Sequence, residues 1–171
     1  MSQTAGGDDG APELLLRIDL AASVFASNWA YCDRISSYVA RMVSHNRTDS
    51  LLHANLFSSA FNELLETVHR FHDASGDFVC EVSRAPRGDR IALTIPCSAP
   101  DAAFYERAMA RLSEPGLAED YRAALFADGP LDPGIGLLEL AVDYGARLSI
   151  EPAGEGSIRL VADLSLEEDK H

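Results

Sequence analysis

Basic residues are scarce in this sequence. Its 171 residues include 14 lysines and arginines against 27 aspartates and glutamates, which gives a formal net charge of −13 at pH 7. Nucleic acids and anionic membrane surfaces are recognised through clustered Lys and Arg side chains. The composition therefore argues against both kinds of partner. It does not exclude ATP, whose phosphates can be held by a few local donors and a metal ion.

Cysteine is also rare. The three cysteines, Cys32, Cys80 and Cys97, are widely spaced and form neither a CxxC pair nor a Cys/His zinc pattern. An odd number of scattered cysteines gives no disulfide framework. We expect three free thiols in a reducing compartment.

Long apolar runs are missing as well. No run reaches the length of a transmembrane helix, and the opening MSQTAGGDDGAPE has no basic or apolar region of a signal peptide. With 47% hydrophobic residues, the chain has the composition of a globular protein and is long enough for one well-buried domain. We expect a cytoplasmic protein with a disordered leader (1–12), one domain (13–166) and a polar tail (167–171).

Two common catalytic patterns are not visible in the sequence. It shows no Ser/His/Asp arrangement and no Gly-Lys-Ser/Thr phosphate loop. Neither a nucleophilic hydrolase nor a P-loop enzyme is supported by these residues.

The apolar spacing predicts two long helices. The first covers residues 23–45, and the second runs from a cap at residues 48–50 to about His72. The first helix has one apolar stripe, made of Val24, Phe25, Trp29, Cys32, Ile35, Val39 and Met42. The second has a row at four-residue spacing with three neighbours beside it: Leu52, Leu56, Ala60, Leu64 and Val68, with Phe57, Phe61 and Leu65.

The remaining elements alternate between hairpins and shorter helices. A strand is predicted at residues 14–20, hairpins at residues 78–95 and 147–166, and helices at residues 102–112, 117–126 and from Gly134 onward. The predicted order is β-α-α-β-β-α-α-α-β-β. This order predicts an α+β fold, a two-layer sandwich with a mixed, mostly antiparallel sheet and helices on one face.

Two segments carry a family resemblance. They are NELLETVHRF (residues 62–71), which precedes a hairpin, and GIGLLELAVDYGARLSIEPAGEGSIRLVADL, which begins at Gly134. Their order resembles the Bergerat-fold ATPases, which include gyrase-type, Hsp90-type and histidine-kinase ATP domains, and most of all the anti-sigma-factor serine/threonine kinase branch. The run YERAMARLSEPGLAEDYRAALFADG before GIGLLELA resembles bacterial kinases that are paired with a STAS-like partner in biofilm and aggregation switches. The resemblance covers residues 13–165.

The resemblance implies a base and a metal ligand on the second helix. The family's Glu, which acts as or orients the general base, corresponds to Glu63, and the magnesium-binding Asn four residues later corresponds to Thr67. A four-residue step places both side chains on one helix face. A Thr hydroxyl is a weaker magnesium ligand than an amide carbonyl. Asn62 points about 100° around the helix and does not replace the missing Asn.

The resemblance also implies glycine-rich nucleotide motifs. After the first hairpin, the family has an Asp-x-Gly-x-Gly motif whose Asp binds the adenine amino group. The corresponding residues here, 95–103, contain no glycine. Asp101 is the candidate replacement for that Asp. The sequence Asp-Pro-Gly-Ile-Gly at residues 132–136 fits the same pattern, and from its position the resemblance assigns it to the phosphate-lid motif. There Gly134 and Gly136 let the backbone approach phosphates, and Leu137 with the next leucine anchors the helix.

Several interpretations remain open. The first is an ATP- and magnesium-dependent kinase that phosphorylates a Ser or Thr of a STAS-like or other signalling partner. The second is an inactive partner-binding or dimerisation module of the same fold, for which a homodimer is one option. A third is a histidine phosphotransferase, since His45, His53, His69 and His72 lie in or near the long helices, although the His-Asp/Glu pair of such proteins is missing. The structural alternatives are that Glu63 is a solvated helix residue and that Thr67 has a surface or capping role.

Overall fold

The computed structural model describes residues 10–23, 30–71 and 76–166. The elements follow the predicted order, with small changes at their ends. They are β1 (Glu13–Ala21), α1 (Ala30–Ser44), α2 (Ser50–Phe71), β2 (Asp77–Ala85), β3 (Gly88–Pro96), α3 (Ala99–Leu112), α4 (Leu117–Leu125), α5 (Ile135–Asp143), β4 (Arg147–Pro152) and β5 (Ser157–Leu164).

The five strands form one sheet in the order β1-β2-β3-β5-β4, and every neighbouring pair is antiparallel. Alternate residues of the central strands belong to the hydrophobic core together with helix residues: Phe78, Cys80, Val82, Ile91, Leu93, Ile95, Leu160 and Ala162. The other face carries ion pairs, in which Glu81 contacts both Arg17 and Arg159. The α+β two-layer sandwich is confirmed, with a sheet that is antiparallel throughout the described strands.

Helix α2 supplies the centre of the core. Phe57, Phe61 and Leu65 are fully buried, as the spacing predicts. Leu52 differs, because it is 40% exposed and the next residue, His53, is buried instead. A polar side chain can occupy this position because hydrogen-bond partners on α1 and β3 satisfy both ring nitrogens.

Helix α1 buries a slightly different stripe from the predicted one. Val43 is buried and Met42 is exposed. The buried residues of α1 are Cys32, Ser36, Val39, Ala40, Val43 and Ser44. Small side chains at every fourth position favour close packing of α1 on α2, and this moves the stripe by one residue. The predicted positions 24, 25 and 29 lie outside the described residues.

Within the described residues, no helix is both long enough and apolar enough to cross a membrane. The longest, α2, carries Glu63, Glu66 and Arg70 in its second half.

Candidate functional site between two helices

The second half of α2 and the start of α5 meet at Gly136. A Cβ atom built on Gly136 would overlap Glu63 Oε1 and Thr67 Oγ1. Only a residue without a side chain allows α5 to lie directly on these two polar groups. The fold therefore brings together Glu63, Thr67 and Gly136, three residues that the sequence resemblance assigned to one site.

Thr67 is engaged within its own helix. Its side chain is 1% exposed, and its hydroxyl donates a hydrogen bond to the Glu63 carbonyl oxygen at 3.0 Å. Magnesium requires near-octahedral oxygen ligands and keeps several waters. The described residues contain no group of three or more His, Cys, Asp or Glu side chains that could hold a metal ion. In this arrangement the Thr67 hydroxyl is buried and bonded to its own helix, so it is not presented as a ligand to a magnesium ion.

Glu63 is a half-buried carboxylate with an altered proton affinity. Burial raises its pKa, and the negative charges of Glu139 and Glu66 raise it further, against the opposing effect of Arg70. Burial also raises the pKa of Glu139, with contributions from Asp143 and Glu66. A carboxyl group with a raised pKa is suited to proton transfer near neutral pH.

A second polar row on α2 lies beside this site. Glu66 accepts a hydrogen bond from Asn62 Nδ2 at 2.7 Å and another from Arg70 Nη2 at 3.2 Å. Only the Asn62 Nδ2 is engaged in this way, because Asn62 Oδ1 is buried and has no hydrogen-bond partner among the described residues. That Asn62 does not replace the missing magnesium ligand stays a prediction.

The start of α5 is occupied by a carboxylate of the chain itself. Asp132 Oδ1 accepts the Gly134 N–H at 2.8 Å, and Asp132 Oδ2 accepts a hydrogen bond from Arg111 at 2.6 Å. Burial alone would raise the pKa of Asp132, but the bonds from Arg111 and Gly134 hold it below its usual value. A negative charge is stabilised at a helix N-terminus. Asp132 therefore bonds the N–H of a glycine that the resemblance assigns to phosphate binding.

A cavity of about 260 Å³ lies between α3 and the start of α5. Two of the predicted nucleotide-binding residues, Gly134 and Leu137, line it together with Phe104, Arg107 and Arg111. Pockets for small molecules usually measure about 300–1,000 Å³. The volume of this cavity lies just below that range.

The candidate adenine ligand, Asp101, has a local role. It forms a capping box at the start of α3, in which Asp101 Oδ2 accepts hydrogen bonds from the Ser98 hydroxyl at 2.6 Å and the Ser98 N–H at 3.2 Å. Asp101 is not among the residues that line the cavity. The Ser-x-x-Asp spacing is the sequence signal of such a cap.

The structure contains a Ser/His/Asp arrangement that sequence reasoning missed. Ser44 Oγ lies 2.6 Å from His53 Nδ1, and His53 Nε2 lies 2.9 Å from Asp89 Oδ2. Arg47 donates a further hydrogen bond to Asp89 Oδ1 at 2.7 Å. The sequence shows no pattern for this arrangement, because the three residues are far apart along the chain. Its three members come from α1, α2 and β3, and the only signal was a polar residue four positions before Phe57.

This arrangement does not make a hydrolase site. Ser44, His53 and Asp89 are all buried, so a substrate could not reach the Ser44 hydroxyl. The network instead satisfies polar groups in the core and ties both long helices to the sheet. Of the other histidines, His45 is exposed and His69 is half-buried, while His72 lies outside the described residues.

The fold and this helix contact define a two-layer α+β protein whose candidate site lies between α2 and α5. Among solved structures, the chain is similar to a chain of the SiaB–SiaC complex from Pseudomonas aeruginosa. The two share 14% sequence identity with a TM-score of 0.56, and the match covers 89% of this chain and 90% of that chain. At this identity the similarity shows the fold alone. No protein-family model matches the sequence, and no curated protein matches it.

Proposed function

We propose that this chain is a bacterial signalling regulator that acts by binding a protein partner. The observation that carries the proposal is the contact of Gly136 with Glu63 and Thr67, which leaves no room for a side chain between α2 and α5. With Asp132 at the start of α5, the residues resembling a nucleotide site are engaged with one another. A protein with this arrangement can regulate by association without nucleotide chemistry.

The candidate partner surface follows α4. Leu125, Phe126 and Leu131 are exposed there, and Phe126 is 84% exposed. Large apolar side chains that face solvent together are typical of interaction sites, and aromatic residues often dominate their binding energy. We call these three residues the α4 surface.

The position of the α4 surface is fixed by α5. Tyr121 on α4 packs against Ile135 and Leu138 in a small cluster apart from the main core, and the Tyr121 hydroxyl donates to Asp143 Oδ2 at 3.0 Å. The surroundings are acidic, with exposed Glu119 and Asp120 on α4. A partner with an apolar centre and a basic rim would complement this surface.

The similarity to a chain from a two-protein complex supports the same proposal. The structure from Pseudomonas aeruginosa is described as a complex of SiaB with SiaC. Together with the resemblance to kinases that act with STAS-like partners, this favours a STAS-like protein as the partner. In this proposal the chain sequesters its partner by direct binding.

A second candidate is the ATP-dependent serine/threonine kinase. It is favoured by the raised pKa of Glu63, which suits a general base, and by the cavity beside Gly134 and Leu137. Because Thr67 is buried beneath Gly136 as arranged, this candidate requires α5 to separate from α2. Thr67 would then be exposed as a ligand.

Thermal unfolding with and without Mg-ATP distinguishes the two candidates. A ligand at 100 times its dissociation constant stabilises a protein by about 2.7 kcal/mol, which corresponds to several degrees for a domain of this size. We expect no shift in the midpoint at millimolar Mg-ATP. A clear shift that becomes larger in Thr67→Asn, which restores the family's ligand, would instead support the kinase.

The partner proposal is tested with two matched variants. Phe126→Ser removes the centre of the α4 surface, whereas Leu51→Ser removes another apolar side chain, which is 73% exposed at the start of α2. We expect a partner captured by the wild type to be retained by Leu51→Ser and lost by Phe126→Ser. The captured protein, once purified, should form a stoichiometric complex in titration calorimetry. Equal binding by all three forms would rule out the α4 surface.

A further inference from the structure

A second cavity, of about 430 Å³, lies at the other end of β3 from the candidate site. It is bounded by the β2–β3 turn, the start of β4 and the end of β5. Three arginines line it: Arg87 in the turn, Arg90 on β3 and Arg147 on β4. None of the residues assigned to ATP by the sequence resemblance belongs to it.

The fold brings these arginines together through one close backbone contact. Gly88 has a φ of +146°, and a Cβ atom there would overlap the carbonyl oxygen of Leu164. The turn therefore lies directly on the end of β5. On β5, Asp163 is paired in register with both Arg90 and Arg147, so that the three arginines come from neighbouring strands and one turn.

The charges at this cavity do not cancel. Asp163 receives two hydrogen bonds from Arg90, at 2.7 and 3.0 Å, and Asp89 receives one from Arg47 at 2.7 Å. Both acidic residues of the lining are therefore neutralised. Arg87 and Arg147 are exposed, and within the described part of the chain neither has a hydrogen bond or an ion pair. Arg87 and Arg147 therefore leave an uncompensated positive charge at the cavity, although the chain as a whole has a net charge of −13.

We propose that this cavity binds a small phosphate-bearing molecule. Guanidinium groups match phosphate oxygens with paired hydrogen bonds, and Arg87 and Arg147 are available to form them. Pro12, Pro86 and Leu164 provide apolar walls for the rest of the ligand. The volume lies within the range of about 300–1,000 Å³ of small-molecule pockets. The strongly acidic chain around the site favours a small anion over a nucleic acid.

The test uses ¹⁵N-glycine-labelled full-length protein titrated with inorganic pyrophosphate and followed by NMR. Gly10, Gly88 and Gly145 line this cavity, while Gly134 and Gly136 report on the α5 site. We expect saturable shifts of the first three signals with little change in the other two. A response confined to Gly134 and Gly136 would overturn the proposal, and so would the absence of saturation up to about 10 mM, close to the weakest specific affinities.

Two double variants show whether the arginines are responsible. Arg87→Ala with Arg147→Ala should weaken pyrophosphate binding at least about tenfold, since hydrogen bonds to charged groups each contribute more than a kilocalorie per mole. Arg34→Ala with Arg122→Ala removes two exposed arginines elsewhere and should leave binding unchanged. Equal weakening by both pairs would show only a general charge effect and overturn the site. Unchanged unfolding midpoints establish that both variants fold.

Discussion

His53 on α2 and Asp89 on β3 are joined by a buried contact of 2.9 Å between Nε2 and Oδ2. The other ring nitrogen of His53 contacts Ser44 on α1, so a single side chain links both long helices to the sheet. Fully satisfied polar networks in a core fix the relative positions of the elements that they join. This network ties the first part of α2 to the sheet.

Asp89→Ala should destabilise the protein by about 3–5 kcal/mol, because it removes the acceptor of partly buried Arg47 and buried His53 together. Urea unfolding at pH 7 measures the change. The control is Asp163→Ala, whose pair with Arg90 is about one-third exposed and should contribute no more than about 1 kcal/mol. Similar losses in the two variants would mean that the buried network has no special structural role.

Gly136→Ala should lower the free energy of unfolding by about 1–3 kcal/mol, the usual cost of overpacking. The carboxylate of Glu63 can swing aside, but the Thr67 hydroxyl is buried and held by its hydrogen bond. The cost should therefore fall when Thr67→Ala is present, as a double-mutant cycle can measure.

Gly134→Ala is the matched control for that variant. Its φ is −84°, and an added Cβ would come no closer than 3.4 Å to Asp132. We expect a change of only a few tenths of a kcal/mol to about 1 kcal/mol. Additive effects of Gly136→Ala and Thr67→Ala would contradict the packing that closes the site.

Glu63→Gln should raise the unfolding midpoint at pH 7. Burial raises the pKa of Glu63 in the folded state, so folding favours its protonated form. Its stabilising contribution is complete below the unfolded pKa of about 4.3 and is lost as the pH rises through the folded pKa. The stability gained by Glu63→Gln should therefore appear at pH values above the folded pKa of Glu63 and disappear near about pH 4.

The control on the same helix is Glu66→Gln. Glu66 accepts bonds from Asn62 and Arg70, so its neutralisation should weaken the protein at pH 7 instead of strengthening it. Thermal unfolding between pH 4 and pH 8 tests both variants. A destabilised Glu63→Gln at neutral pH would show that the charged form of Glu63 is the favoured one.

A thiol reagent at pH 8 should modify Cys97 before the other two cysteines. Cys32 and Cys80 are buried, and burial raises their pKa to about 11 and about 12. Cys97 is half-exposed, and only exposed thiolate reacts readily. We expect one modified thiol in the native protein and three in denaturant. Cys97→Ser should show none until unfolding, and rapid native labelling of Cys32 or Cys80 would contradict the packing of the core.

Much of the fold could be predicted because local periodicity encodes it. The four-residue spacing around Phe57 and the alternation at Phe78, Cys80 and Val82 specify which face of each element is buried. Turn residues marked the hairpins, and the order of elements limited the architecture to a two-layer α+β sandwich. The burial of Val43 in place of Met42 could not be predicted in this way, because it depends on how closely α1 and α2 approach each other.

The pairing of α2 with α5 was predicted only through the family resemblance, since no local pattern relates Thr67 to Gly136. The contact itself shows that Gly136 lies on the polar pair, and the Gly134 N–H donates to the Asp132 carboxylate. The nucleotide roles of Glu63, Thr67, Gly134, Gly136, Leu137 and Asp101 stay predictions.

The sequence by itself determined the order, type and buried faces of the elements, because these follow from contacts between residues a few positions apart. Tertiary structure alone decided which polar groups meet. Ser44 with His53 and Asp89, and Arg87 with Arg147, come from separate elements whose approach depends on the packing of the whole core. Distances between such side chains depend on the register of the sheet and on glycines such as Gly88 and Gly136, where the backbone is in direct contact with its neighbour.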